Sequence, residues 1–159
     1  MIVVALDPGT EKTAWVKFDC AKFKILDFAL TPNADLVNSR LLRNPSAHLI
    51  VEVFKSYGNV IGDSVLETCI WIGRFIQAAN GSATRYFRRT VVTNLCRNPR
   101  GGDKQVRQAL IDRFAATGGG KVPSIGTRSK PGPLYGVTGD VWSALAVAVT
   151  HADFLNEIL

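Results

Sequence analysis

An α/β fold, a mixed five-stranded sheet flanked by helices, follows from three features of the sequence. Residues 2–30 hold three apolar or alternating stretches separated by short turns, the pattern of an antiparallel meander. After them strand-like runs alternate with helical ones, which adds two parallel strands and covering helices. The 159 residues, 47% apolar and 20% charged, are enough for one packed core and too few for two lobes, so 1–159 is expected to be a single domain.

Ile2 to Leu6 is an unbroken apolar run, as in a strand buried on both faces. Thr13 to Phe18 and Lys22 to Leu30 read as the next two strands. From Thr31 to Asn44, Pro32, Asn33 and Asp35 precede Leu36, Val37, Leu41 and Leu42, which predicts a short capped helix. His48 to Phe54 (HLIVEVF) is a fourth strand. Val60 to Ala79 is a long helix whose Val65, Leu66, Cys69, Ile70, Trp71, Ile72, Phe75 and Ile76 wrap most of its circumference. Such a helix needs cover on two sides, and a second subunit is one candidate for the outer side. Tyr86 to Leu95 is expected as the fifth strand, with Arg88 and Arg89 in it. Asp103 precedes a helix from Lys104 to Ala115, with Val106, Ala109, Leu110 and Phe114 inward and Lys104, Arg107 and Gln108 outward. Thr117 to Gly136 shows no regular element, and loops of that length are usually functional or disordered. Thr138 then caps a helix that runs to the end of the chain.

No apolar run approaches the roughly 18 residues of a membrane span, and Asp7 interrupts the first apolar run before it could act as a signal peptide. A cytoplasmic protein with no membrane partner is expected. Cys20, Cys69 and Cys96 are odd in number and lie in apolar patterns, so they read as reduced core residues. The net charge of +6 is unevenly spread: residues 85–130 carry eleven Lys or Arg against Asp103 and Asp112, a surplus of +9, which leaves the rest at −3. That segregation points to a polyanionic partner.

Acids stand where apolar strands end. Asp7 closes the first strand ahead of Pro8-Gly9, and Glu52 interrupts the fourth. An ionised carboxylate in such a place costs several kcal/mol of desolvation unless a cation compensates it. If the two strands are neighbours the carboxylates meet at one rim, and Asp140 at the start of the last helix can join them. Each has a plainer reading: a turn-stabilising Asp before Pro-Gly, an ion pair with one of the arginines, and a charge favoured by the helix dipole. Together they form an oxygen nest for Mg²⁺ or Mn²⁺. Two such ions can activate a water and stabilise the leaving oxygen of a phosphodiester. With a basic surface alongside, nucleic acid is the expected substrate.

LDPG around Asp7, VEVF around Glu52, ETCIWIGRF, DKQVRQAL and PGPLYGVTGDVWSALAVAVTHA, in that order, resemble the RuvC-type Holliday-junction resolvases, and the wording around PGPLYG resembles their bacteriophage branch. The resemblance covers almost the whole chain. It implies a ribonuclease-H-like fold, a homodimer (in the host-cell cytoplasm if phage-encoded), Mg²⁺-dependent hydrolysis to a 5′-phosphate, and four-way or otherwise branched DNA as substrate. By position it places the metal on Asp7, Glu52 and Asp140. The family commonly has a second metal-site residue, an aspartate, three positions after the first on the last helix. Here that residue is Ser143, a weaker ligand; Asp63 and Glu67 could supply the missing acid if their helix faces the cleft, a solvated helix face being the plainer reading for them.

The resemblance and the charge pattern assign Lys104 to the cleaved phosphate as well as to binding, and Lys104 and Arg107 to backbone phosphates. Arg88, Arg89, Arg100, Lys121, Arg128 and Lys130 complete the expected DNA surface. Phe54 and Tyr57 stand where an aromatic wedge could open the junction centre, core packing being the plainer reading for Phe54. Trp71 and Trp142 read as core, and His151 as a residue outside the site. Two other functions compete. A nuclease decayed at Ser143 would bind branched DNA without cutting it, and the DPGT motif also matches the phosphate loop of actin- and sugar-kinase-like ATPases, although those need a second lobe.

Overall fold

The computed structural model describes residues 1–44, 46–58 and 60–158. In order along the chain the elements are β1 (Ile2–Pro8), β2 (Lys12–Asp19), β3 (Lys24–Pro32), α1 (Asn33–Asn38), β4 (Ala47–Val53), α2 (Asp63–Ala78), β5 (Ala83–Phe87), α3 (Arg88–Cys96), α4 (Asp103–Arg113) and α5 (Val141–Ile158). The sheet order is β3-β2-β1-β4-β5. β1 pairs antiparallel with β2, and β2 with β3, while β1–β4 and β4–β5 are parallel. The expected mixed five-stranded sheet is therefore present, with β1 at its centre. That position explains the unbroken apolar run, since Val3, Val4, Ala5 and Leu6 are all buried.

Alternation along the strands sorts the core into two layers. Val3, Ala5, Val16, Phe18 and Ile50 pack on the α5 side, and Val4, Leu6, Leu49 and Val51 pack against Ile72 and Phe75 of α2 and Leu36 of α1. Ala144 to Val149 of α5 are all fully buried. Their small side chains let the helix lie close against the sheet.

The fifth strand differs from expectation. It is Ala83–Phe87, and the segment read as its continuation is the helix α3. The β-branched residues Thr90, Val91, Val92 and Thr93 favour a strand locally. However, the buried residues Val91, Val92 and Leu95 have helical spacing, and packing on that stripe overrides propensity. Arg88 and Arg89 consequently lie in the first turn of a helix.

Smaller differences have local causes. α1 is only Asn33–Asn38, and no side chain caps it. α5 begins at Val141, with the carbonyl of Asp140 accepting from the Ser143 and Ala144 amides, and Leu159 lies outside the described residues. On α2, Ile72 and Phe75 are buried, whereas Leu66 and Ile70 are 53% and 52% exposed, so the chain covers one face of this helix and leaves the other open. Cys20 is buried as expected, Cys96 is half-buried, and Cys69, on the open face of α2, is exposed. Trp142 is buried.

Residues 117–136 contain no helix or strand but are knitted by backbone bonds, among them Gly118 N–H to the Pro123 carbonyl, Gly132 N–H to Ile125 and Leu134 N–H to Ser124. Gly126, at φ +79°, has Gly132 N only 2.2 Å from where a Cβ would stand, so the chain crosses itself here only because that position is glycine. Among the described residues no helix is long and apolar enough to cross a membrane.

Candidate active site

β1 and β4 are adjacent parallel strands, and from them the chain departs in opposite directions, to β2 on one side and β5 on the other. In open α/β sheets a crevice forms at the carboxyl ends of such a strand pair. Asp7 and Glu52 end these two strands. Val3, Ala5 and Ile50 face α5, so alternation turns Asp7 and Glu52 to that same face. The amino end of α5, carrying Asp140 and Ser143, arrives there.

Asp7 is held by its turn. Asn33 donates to the Gly9 carbonyl at 2.9 Å and accepts from the buried Thr13 hydroxyl at 2.7 Å. A Cβ on Gly9 would lie 2.6 Å from the Lys12 carbonyl, so the turn closes only with glycine there. Asn33 therefore tethers the loop behind Asp7 instead of capping α1. A polar residue between a strand and an apolar helix reads as a cap in sequence, and the long-range clamp leaves no local signal.

Burial first, then the negative fields of Glu52 and Asp140, push Asp7 from the ordinary 3.8 up to about 7, against the opposing influence of Arg88 and a hydrogen bond from Ser143. Burial also raises Glu52, opposed by Arg88. The Arg88 guanidinium lies 3.5 Å from Glu52 Oε2 and 2.6 Å from Asp103 Oδ1. Glu52 Oε2 and Arg88 Nη1 are both buried without a hydrogen-bond partner.

Two clefts meet at Arg88. One, of about 580 Å³, is lined by Asp7, Glu52, Phe54, Tyr57, Arg88 and Arg89 among others. The other, of about 340 Å³, is lined by Arg88, Asp103, Lys104, Arg107, Asp140 and Ser143 with their neighbours. The expected catalytic set is thus spread over two clefts that share Arg88. Among the described residues no three acidic, histidine or cysteine side chains stand close enough to form a finished cation cage. The donor chemistry nevertheless fits a hard divalent ion: Asp7 stands in the negative fields of Glu52 and Asp140, and Glu52 keeps an oxygen without a hydrogen bond.

Phe54 and Tyr57 are 47% and 57% exposed, so Phe54 is not a core residue. Lys104, Arg89, Arg100, Lys121, Arg128 and Lys130 are exposed, and Arg107 is exposed with its guanidinium 4.9 Å from the Trp142 ring centroid. Arg88 is half-buried and paired with acids, not turned to solvent. Asp63 and Glu67 are exposed, and α2 offers Ser64, Val65 and Thr68 to the larger cleft instead. His151 lies in the α5 layer, with Nδ1 2.9 Å from the Tyr86 hydroxyl. Asn33, Thr13 and Asp103 are site-building residues that sequence reasoning did not assign.

No protein-family model matches the chain. No curated protein sequence matches it. Solved structures do. A Thermus thermophilus RuvC structure superposes with a TM-score of 0.68 at 16% identity, covering 99% of this chain and 96% of that one. T. thermophilus RuvC in complex with a Holliday junction substrate gives a TM-score of 0.64 at 16% identity, with the same coverage of both chains. Over nearly its whole length, the chain has the ribonuclease-H-like fold of RuvC.

Proposed function

We propose that the protein is a Mg²⁺-dependent endonuclease, with Mn²⁺ able to substitute, that acts as a homodimer on Holliday junctions and other branched DNA. The observation that carries this reading is Asp7, at the carboxyl end of β1, standing in the negative fields of Glu52 and Asp140, on a RuvC fold. Its likeness to a RuvC in complex with a Holliday junction supports the substrate class.

Asp7, Glu52 and Asp140 would hold the cation, which when bound supplies charge neutralisation and Lewis acidity at a phosphodiester. The chain's own residues do the rest. The Ser143 hydroxyl beside Asp7 favours the charged form of its carboxylate. Lys104 and Arg107, at the edge of the smaller cleft, position the DNA backbone and offset charge gathering on the phosphate. Phe54 and Tyr57, exposed at the mouth of the larger cleft, present apolar surface to unstacked bases. The open face of α2 supplies the surface for a second copy.

The pairing of Arg88 with Glu52 favours a second reading, a branched-DNA binder that does not cut. A labelled four-way junction incubated with the protein in Mg²⁺, Mn²⁺ or EDTA separates the two. Paired nicks that need the cation and vanish in Asp7→Asn are expected. Binding without nicks under all three conditions would leave only the binder.

A further inference from the structure

Among the described residues, Arg88 is the one cation lining both clefts, and it has an acidic partner on each side. It touches Glu52, whose side chain is 14% exposed, at 3.5 Å and Asp103, whose side chain is 92% exposed, at 2.6 Å. The outer contact is the close one. The inner one is loose, and it leaves both Glu52 Oε2 and Arg88 Nη1 buried without a hydrogen bond. A guanidinium that belonged permanently to Glu52 would make the short bidentate fork that arginine and carboxylate favour. This one is held off by Asp103, in the first turn of α4.

From this geometry, and resting on the cation site argued above, we infer that Arg88 is a stand-in counter-ion. It partly neutralises Glu52 while no metal is bound and competes with the divalent cation for that carboxylate, and Asp103 sets the balance by drawing the guanidinium outward. α3 makes the exchange short: Arg88 is the first residue of the helix, directly after β5, so its side chain can turn between an inner and an outer acid without moving the core. Asp103 is thereby a positioning residue, acting on the site through Arg88.

The consequence is measurable without DNA. Mn²⁺ binding, followed by calorimetry and by the loss of the free-ion EPR signal, is expected to tighten about three- to tenfold in Arg88→Gln, which removes the competitor. It is expected to weaken in Asp103→Asn, which releases Arg88 onto Glu52. Because Asp103 works through Arg88, Asp103→Asn should change nothing in the Arg88→Gln background, and a double-mutant cycle reads this directly. Unchanged affinity in Arg88→Gln, or additive effects of the two substitutions, would overturn the inference while leaving the nuclease reading intact. Absence of Mn²⁺ binding in every variant would overturn both. If Arg88→Gln does not fold, Asp103→Asn decides alone: at about 0.5 M salt the direct field of so exposed a carboxylate is screened. Weakened Mn²⁺ binding that persists there supports the relay, and affinity equal to the parent's ends it.

Discussion

The Ser143 hydroxyl, in the first turn of α5, stands beside Asp7 at the end of β1 and favours its charged form. Its influence partly offsets the burial and the like charges that raise Asp7. Replacing the hydroxyl by a carboxylate, Ser143→Asp, adds a fourth acid to the same field. We expect Mn²⁺ affinity to rise by about tenfold, about 1.4 kcal/mol, and the melting temperature in EDTA to fall. Calorimetric titration and thermal melts of the two proteins check both.

The pH dependence of stability follows from Asp7. Its folded-state value of about 7 lies above the ordinary 3.8. Between those values the folded chain keeps a proton that the unfolded chain has released, so stability from this group falls as pH rises toward 7 and stays low above it. Without metal, Asp7→Asn should therefore be more stable than the parent at pH 8, by on the order of 2–4 kcal/mol, with the gap closing toward pH 4. Urea unfolding in EDTA at several pH values measures this. A gap that widens toward acid would contradict it.

Asn33→Ala removes the acceptor of the buried Thr13 hydroxyl and the donor to Gly9. The expected loss is about 1–3 kcal/mol. Because the turn positions Asp7 and holds none of the basic residues assigned to DNA, nicking should drop more than junction binding. Denaturant melts and parallel binding and cleavage gels compare the two effects.

Leu66 and Ile70 are one turn apart on the open face of α2, each about half exposed. The parent is expected to sediment as a dimer, and Leu66→Glu with Ile70→Glu as a folded monomer. Analytical ultracentrifugation, with circular dichroism as the folding control, reads the outcome.

Lys104→Ala with Arg107→Ala should weaken junction binding and reduce the slope of log affinity against log salt by about 2, the share of two phosphate contacts. Arg107 also lies over Trp142, so Arg107→Ala alone should lose some stability, which Lys104→Ala should not. Binding titrations over a range of salt and thermal melts of the single variants separate the two roles.

Much of this was legible along the chain, because periodicity and composition are local. β1's burial on both faces, the α4 stripe of Val106, Leu110 and Phe114, and the acids at the ends of β1 and β4 all declare themselves within a few residues. α3 did not: its β-branched run favours a strand, and only the packing of Val91, Val92 and Leu95 makes it a helix. Phe54 is similar, an aromatic beside an apolar strand that the chain's path leaves in the open.

The residues by themselves determined the mixed sheet, its helical cover, the surplus of basic charge and the acids that end β1 and β4. Only the tertiary structure decided which cations and hydroxyls stand among those acids. Asn33 reaching Gly9, Ser143 reaching Asp7, and Arg88 lying between Glu52 and Asp103 join distant parts of the chain. Electrostatic energy depends on distance through space and on burial, and neither can be read from spacing in sequence.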